Sequence, residues 1–148
     1  MKSKPFKLDA RAEAKLRAAL HESGHYIAAK HFGVAEVSGL HPVGVGKFAG
    51  KTLYGSTAAF NEAVIGWAGP LAEQRPGRSL VEWKTASQTV WQMFTENQLS
   101  KADTDLINRH SDKRKSFNRA VEILADAENE ITQATASLFK QDSLFNFP

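Results

Sequence analysis

The stretch His21-Glu22-Ser23-Gly24-His25 lies inside a segment, residues 9 to 32, whose composition favours an α-helix. Asp9 can cap the start of this helix, alanine and leucine dominate its first half, and Gly33 follows at the position where helices often end. Because a helix turns about 100° per residue, side chains four positions apart lie on the same face. The two histidines can therefore aim an imidazole nitrogen at one point.

The residue types in this stretch indicate a metal site with hydrolytic chemistry. The chain contains no cysteine, so any metal must be held by His, Asp or Glu, and neutral imidazoles bind zinc well. Glu22, next to the first histidine, is placed to take a proton from a metal-activated water and to pass it to a leaving amine. The pattern predicts a zinc-dependent peptidase with His21 and His25 as ligands and Glu22 as general base and acid. The alternative is a helix with two ordinary histidines and an accidental glutamate.

The rest of the chain predicts an α+β domain, mostly α-helical, with a small β-sheet beside the histidine helix. Residues 34 to 55 place apolar residues between glycines, a pattern typical of two or three short strands. Residues 75 to 78 are predicted to form a loop, and Pro70 should kink or divide the helix that contains it. Further helices are predicted over residues 58–74, 80–98, 100–109 and 116–140.

The helix predicted over 116–140 carries a narrow apolar stripe. Phe117, Leu124, Ile131 and Leu138 recur every seven residues, with alanines between them. This stripe is expected to pack on the domain's own core, and the alternative is a dimer contact that makes the protein a homo-oligomer. A basic tail at 1–8 and an apolar tail at 141–148 complete the single domain predicted over residues 1–148.

Composition excludes several other classes of protein. A chain of 148 residues with a net charge of +3 and 24% charged residues matches one folded domain and not a disordered segment. The longest largely apolar stretch, Ala63–Ala72, is about half of the roughly 20 residues that a membrane span needs. The basic blocks are too short for a nucleic-acid tail, and no secretory signal is visible. We therefore expect a cytoplasmic protein without a membrane span or a nucleic-acid partner.

Four segments, taken in order, carry a resemblance to one family. They are HESGHYIAA at 21–29, VSGLHP at 37–42, IGWAGPLAE at 65–73 and LSKADTDL at 99–106. Together they resemble the zinc-binding helix, the following strand, the next helix and the third-ligand segment of FtsH-type ATP-dependent proteases. The resemblance covers about residues 12–125 and implies a zincin-like metalloprotease domain, a zinc metalloendopeptidase that acts on peptide or protein substrates.

The chain also departs from that family. The 148 residues contain no P-loop motif and no apolar stretch long enough for a membrane anchor, so we expect a peptidase domain standing alone, with a separate ATPase as a candidate partner. Pro70 stands where the family usually has a basic residue. By analogy with other enzymes of this type, an edge strand from Val43 to Tyr54 could align an extended peptide beside the metal by backbone pairing.

A catalytic zinc site needs a third protein ligand. The resemblance implies an aspartate and favours Asp105, whereas helical spacing favours Asp103, which shares a face with Leu106 and Ile107. We keep both, with a small preference for Asp103. Asp103 could instead belong to a capping box with Ser100, and Asp105 could simply favour a helix start.

Glutamates are the other candidates for ligands. Glu62 and Glu73 could bind the metal as in other zinc peptidases, but the resemblance makes Glu73 a residue that lies behind the ligands and orients a histidine. The remaining histidines (His31, His41 and His110) are expected to be ordinary, and the tryptophans (Trp67, Trp83 and Trp91) to belong to the core. Two rival functions remain: a non-enzymatic adaptor built on a degenerate peptidase fold, and a basic helical protein that binds nucleic acid.

Overall fold

The computed structural model describes residues 10–44, 47–74 and 80–140, and these ranges contain six helices and two strands. The elements are α1 (Ala10–His31), β1 (Ala35–Gly44), β2 (Lys47–Tyr54), α2 (Ala59–Gln74), α3 (Leu80–Thr95), α4 (Lys101–Ile107), α5 (Lys113–Asp126) and α6 (Glu128–Phe139). The predicted mostly helical α+β composition is confirmed. The tails at 1–8 and 141–148, the loop at 75–78 and the cap at Asp9 lie outside the described residues.

Helix α2 forms the centre of the fold. Each of its residues from Ala63 to Ala72 is buried, and the helix packs on α1, α3, α4 and α5. A helix that is apolar on all sides is typical of a core, and its Trp67 is fully buried. The Trp67 indole donates a hydrogen bond to Ser116 Oγ at 3.0 Å, which satisfies its polar atom. Within the described ranges, no helix combines the length and the apolar character needed to cross a bilayer.

Helix α2 contains a proline, and it packs closely on α1. The helix runs without a break through Pro70, so the proline does not divide it. A Cβ added at Gly24 of α1 would overlap the carbonyl oxygen of Ala68 and lie 2.7 Å from the Cβ of Ala72. The backbones of α1 and α2 are therefore in direct contact at Gly24.

The sheet consists of β1 and β2, paired antiparallel, and it packs on α1. The predicted position of the sheet beside the histidine helix is therefore confirmed. In the register of this pair, Leu40 faces Gly50 and Ser38 faces Thr52. Because side chains on a strand alternate between its faces, Gly50 and Thr52 lie on the same face of β2.

The prediction of one continuous helix over 116–140 is wrong, because the structure breaks it at Ala127, where φ is −115° and ψ is 29°. The break lets α5 pack mainly on α2 while α6 packs mainly on α1. Glu128 and Glu130 then occupy the first turn of α6, where carboxylates interact favourably with the helix dipole. The four stripe residues (Phe117, Leu124, Ile131 and Leu138) are all buried within the chain's own core. The packing of the stripe on the domain's own core, as expected, is therefore confirmed for these four residues.

Candidate metal centre

The two histidines of α1 and one aspartate of α4 converge on a single point. His21 Nε2 lies 3.0 Å from Asp103 Oδ2, and His25 Nε2 lies 3.1 Å from Asp103 Oδ1. The ring centroids of the two histidines are 4.8 Å apart. Asp103 is only 4% exposed, so its carboxylate is turned away from solvent and toward the two rings.

The tautomer of His25 follows from its second nitrogen. His25 Nδ1 lies 2.7 Å from the backbone carbonyl oxygen of Ile65 and must donate a proton to it, because a carbonyl only accepts. In the neutral ring, Nε2 therefore carries a lone pair that faces a carboxylate oxygen of Asp103. Two acceptors held at 3.1 Å repel each other unless a proton or a metal ion stands between them. A backbone carbonyl that fixes the tautomer in this way is typical of metal-binding histidines.

The carboxylate of Asp103 supports the same conclusion. Its Oδ2 atom is buried and accepts no hydrogen bond of acceptable geometry among the described residues, although His21 Nε2 is close. Buried carboxylate oxygens that accept no well-aligned hydrogen bond are costly, and a metal ion would satisfy this one. The ligands of a tetrahedral zinc at about 2.0–2.1 Å lie about 3.3 Å from one another. The observed separations of 3.0 and 3.1 Å, which join the two imidazoles to different oxygens of Asp103, are a few tenths of an ångström shorter, so both would have to lengthen to admit zinc.

The charges in the metal-free site are strongly coupled. Burial alone would lower the pKa of His21, but the carboxylates of Asp103 and Glu73 outweigh burial and raise that pKa to about 10. Burial would raise the pKa of Asp103, but the two imidazoles outweigh burial and hold it well below its usual range. The site is therefore built around a carboxylate that requires positive charge, which a proton supplies when no metal is present.

Space for the two imidazoles is made by a glycine of α2. A Cβ added at Gly69 would overlap the ring of His25 and lie 2.9 Å from His21 Nε2. Gly66, one turn earlier, has a similar role for α4: a Cβ there would meet Leu106 Cβ at 2.7 Å and the backbone oxygen of Asp103 at 3.2 Å. The two glycines let the rings and the aspartate helix approach the backbone of α2.

Glu22 lies beside the converging residues and contacts strand β2. Its Oε1 accepts a hydrogen bond of 2.9 Å from Thr52 Oγ1, and a Cβ added at Gly50 would overlap its side chain. Candidate ligand atoms of Glu22 and the two histidines all lie within 4.8 Å of one another. By distance alone, this His-Glu-His group could also hold a metal ion.

The remaining acidic candidates lie at different distances from the site. Asp105 is exposed and pairs with Lys101 at 2.8 Å, so the structure does not bring it to the histidines. Glu73 Oε2 lies 3.6 Å from His21 Nδ1, behind the ring as expected. Glu62 forms an ion pair with Arg109 and is not part of the cluster.

The histidines and tryptophans expected to be ordinary are placed elsewhere where their side chains are described. His31 Nε2 lies 3.0 Å from Arg119, and His110 Nδ1 accepts a hydrogen bond from the backbone of Asp112. Trp67 and Trp83 are buried, and Trp91 stacks on Trp67 with ring centroids 5.6 Å apart, so the three form core contacts as predicted. The side chain of His41 lies outside the described residues.

The cluster opens into a cleft of about 310 Å³ between β2 and α4. The cleft is lined by His21, Glu22 and His25 of α1, by Gly50, Lys51, Thr52 and Tyr54 of β2, and by Ser100, Ala102, Asp103 and Leu106 at α4. The site can therefore be reached from outside, as a catalytic centre must be, while Asp103 itself stays buried.

Comparison of the chain with protein-family models and with curated proteins finds no relative.

Sequence reasoning missed three contributors to the site: Gly50, Thr52 and the carbonyl of Ile65. The alternation along β2 places Gly50 and Thr52 on one face, but only the packing of that face on α1 shows that they meet Glu22. For Gly69 the sequence did give a signal, because a glycine inside an apolar helix indicates close approach. In the structure, the groups that approach Gly69 are the imidazoles of His21 and His25.

Proposed function

We propose that the protein is a zinc-dependent endopeptidase with a zincin-like arrangement, as its resemblance to the peptidase domain of FtsH-type proteases implies. The observation that carries the proposal is the convergence of His21 and His25 on the buried carboxylate of Asp103, whose Oδ2 accepts no hydrogen bond in the described part of the chain. Glu22 stands next to this cluster at the edge of an open cleft.

Zinc would be held by His21, His25 and Asp103. Asp103 is a better third ligand than Glu22, because each of its oxygens already faces one imidazole, whereas Glu22 is engaged by Thr52. Asp105 is exposed and pairs with Lys101, so it would not bind the zinc. A bound zinc ion supplies Lewis acidity, which polarises a peptide carbonyl and lowers the pKa of a water molecule at the open position.

The protein's own residues supply the proton transfers and the support of the ligands. Glu22 borders the cleft beside the ligands, so its carboxylate can take a proton from the attacking water and deliver it to the leaving amine. The carbonyl of Ile65 holds His25 in the ligating tautomer. Glu73 lies behind His21, with Oε2 at ion-pair distance from Nδ1, and would favour the ring orientation that turns Nε2 toward Asp103.

The cleft also suggests how a peptide is bound. Strand β2 pairs with β1 on one side only within the described ranges, and its residues 50–52 and 54 line the cleft. An extended peptide that paired with the free edge of β2 would run past Glu22 and the ligand cluster. The substrate would be an unfolded polypeptide, delivered to the cleft by a separate ATPase when the natural substrate is folded.

The test is zinc analysis combined with cleavage of unfolded casein, which requires no unfolding partner. Untagged wild-type protein should contain about one zinc per chain and cleave casein, because one three-residue set is available. Glu22→Gln should keep the zinc and lose cleavage by about 100-fold or more, whereas His21→Ala should lose both.

Asp105→Asn is the matched control, since it alters an exposed aspartate of the same helix as Asp103 and should change neither property. Unchanged cleavage in Glu22→Gln, or wild-type protein that binds no zinc, would refute the proposal. Zinc binding without any cleavage of casein would support the non-enzymatic adaptor instead.

A further inference from the structure

We propose that Thr52 of β2 is a positioning residue, which anchors one oxygen of Glu22 and leaves the other as the oxygen that accepts the proton. The inference rests on the proposed function and deepens it. It concerns a residue outside the histidine motif, and it assigns different roles to the two carboxylate oxygens of Glu22.

Three contacts of the Thr52 hydroxyl connect the sheet with Glu22. Thr52 Oγ1 lies 2.9 Å from Glu22 Oε1 and 3.3 Å from the backbone oxygen of Glu22. Ser38 Oγ lies 2.6 Å from Thr52 Oγ1, and the two residues face each other in the register of β1 and β2. The hydroxyls of a cross-strand pair therefore lead directly to the side chain of Glu22.

The direction of these hydrogen bonds follows from proton counting. A threonine hydroxyl has one proton, and an ionised carboxylate can only accept. The shorter contact to Oε1 takes the proton of Thr52, so Ser38 must be the donor in its contact with Thr52. The donors run in one direction, from Ser38 to Thr52 to Oε1.

The second carboxylate oxygen of Glu22, Oε2, has different surroundings from Oε1. Among the described residues Oε2 accepts no hydrogen bond, and it lies beside Gly50 at the wall of the cleft. A Cβ added at Gly50 would overlap the Glu22 side chain and lie 2.6 Å from Oε2. The carboxylate is therefore held between a hydroxyl and a glycine backbone, and Oε2, which Thr52 does not contact, is the oxygen proposed to accept the proton.

Sheet pairing alone does not require this arrangement. A Ser–Thr pair across two strands stabilises a sheet through its own hydrogen bond. The additional contact from Thr52 to Oε1 does nothing for the sheet, and it restricts a glutamate side chain with several rotatable bonds. Residues that orient a reacting group through such contacts typically change activity by about 10- to 100-fold when removed.

The kinetic test compares Thr52→Val, which keeps the shape and removes the hydroxyl, with Thr52→Ser, which keeps the hydroxyl. On zinc-loaded protein with unfolded casein, Thr52→Val should lower kcat by about 10- to 100-fold with KM and zinc content unchanged. Thr52→Ser should restore most of the loss, and Ser38→Ala should have a smaller effect than Thr52→Val. Wild-type kcat in Thr52→Val, or a Thr52→Ser protein as slow as Thr52→Val, would overturn the proposal.

A structural test is independent of activity. Crystal structures of metal-free wild type and metal-free Thr52→Val should show the Glu22 carboxylate next to Thr52 in the first and displaced in the second. A Glu22 side chain in the same position in both would overturn the proposal. If zinc-loaded wild type cleaves nothing, the peptidase assignment fails, and the two crystal structures still decide whether Thr52 holds Glu22.

Discussion

Replacing Gly69 by alanine tests whether the two imidazoles occupy the position that the structure gives them. The new Cβ would overlap the ring of His25 and crowd His21 Nε2 at 2.9 Å. His25 cannot turn away without losing its 2.7 Å hydrogen bond to the carbonyl of Ile65. Withdrawal of helix α1 as a whole would break the close packing of its backbone on α2 at Gly24.

The size of the effect can be worked out separately for the fold and for the metal. Alanine is favoured over glycine in a helix by about 1 kcal/mol, whereas overpacking costs about 1–3 kcal/mol. The metal-free Gly69→Ala protein should therefore lose at most about 2 kcal/mol of unfolding free energy. Displaced imidazoles should weaken zinc binding by about 100-fold, which corresponds to about 2.7 kcal/mol.

The assay is urea unfolding with and without zinc at a fixed free concentration. At about 1,000 times the wild-type Kd, zinc adds about 4.1 kcal/mol to wild-type stability, whereas a variant that binds 100-fold more weakly gains about 1.4 kcal/mol. Gly55→Ala is the control, since its added Cβ would meet nothing closer than 3.9 Å. A Gly69→Ala protein with the full wild-type gain would refute the placement of both rings.

Three further predictions address the third ligand, the charges and the helix contact. Asp103→Asn should abolish zinc binding in equilibrium dialysis, whereas Asp105→Asn should leave it unchanged; equal loss in both would contradict the assignment. Because the folded pKa of His21 is raised to about 10, the ion pair of His21 stabilises the metal-free fold fully below about pH 6.5 and loses that contribution as the pH rises toward 10. Because the pKa of Asp103 is lowered, the stabilising contribution of its carboxylate is lost as the pH falls below about 3.9. Urea unfolding in EDTA should therefore show the greatest stability between about pH 3.9 and about pH 6.5. A flat profile of stability against pH would count against the coupled site. Gly24→Ala places a Cβ on a carbonyl of α2 and should cost about 1–3 kcal/mol in urea unfolding, and wild-type stability would show that the helices are further apart.

Local patterns in the sequence were enough to predict that His21, Glu22 and His25 lie together. Helical spacing placed His21 and His25 on one face, and the same reasoning gave Asp103 a small preference over Asp105, because Asp103 shares a face with Leu106 and Ile107. These inferences depend on one helix at a time. A residue's face on a helix is set by covalent geometry, so it can be read without knowing the partner.

Contacts between distant elements were not predictable in the same way. Nothing in the sequence sets the position of Thr52 against Glu22, because that contact depends on how the sheet packs on α1. The seven-residue stripe from Phe117 to Leu138 indicated a single helix, but its two halves pack on different helices. A break at Ala127 serves both contacts, and periodicity alone does not reveal it.

The ligands proposed for zinc join two distant parts of the chain. His25 and Asp103 are separated by about 80 residues, so a shared ion would act as a cross-link that closes a long loop in the unfolded chain. Asp103 lies on α4, a helix of seven residues. Removal of the zinc by a chelator should therefore loosen α4 before the rest of the molecule. Limited proteolysis of the metal-free protein should then first cut the flanking turns at 98–100 and 108–111.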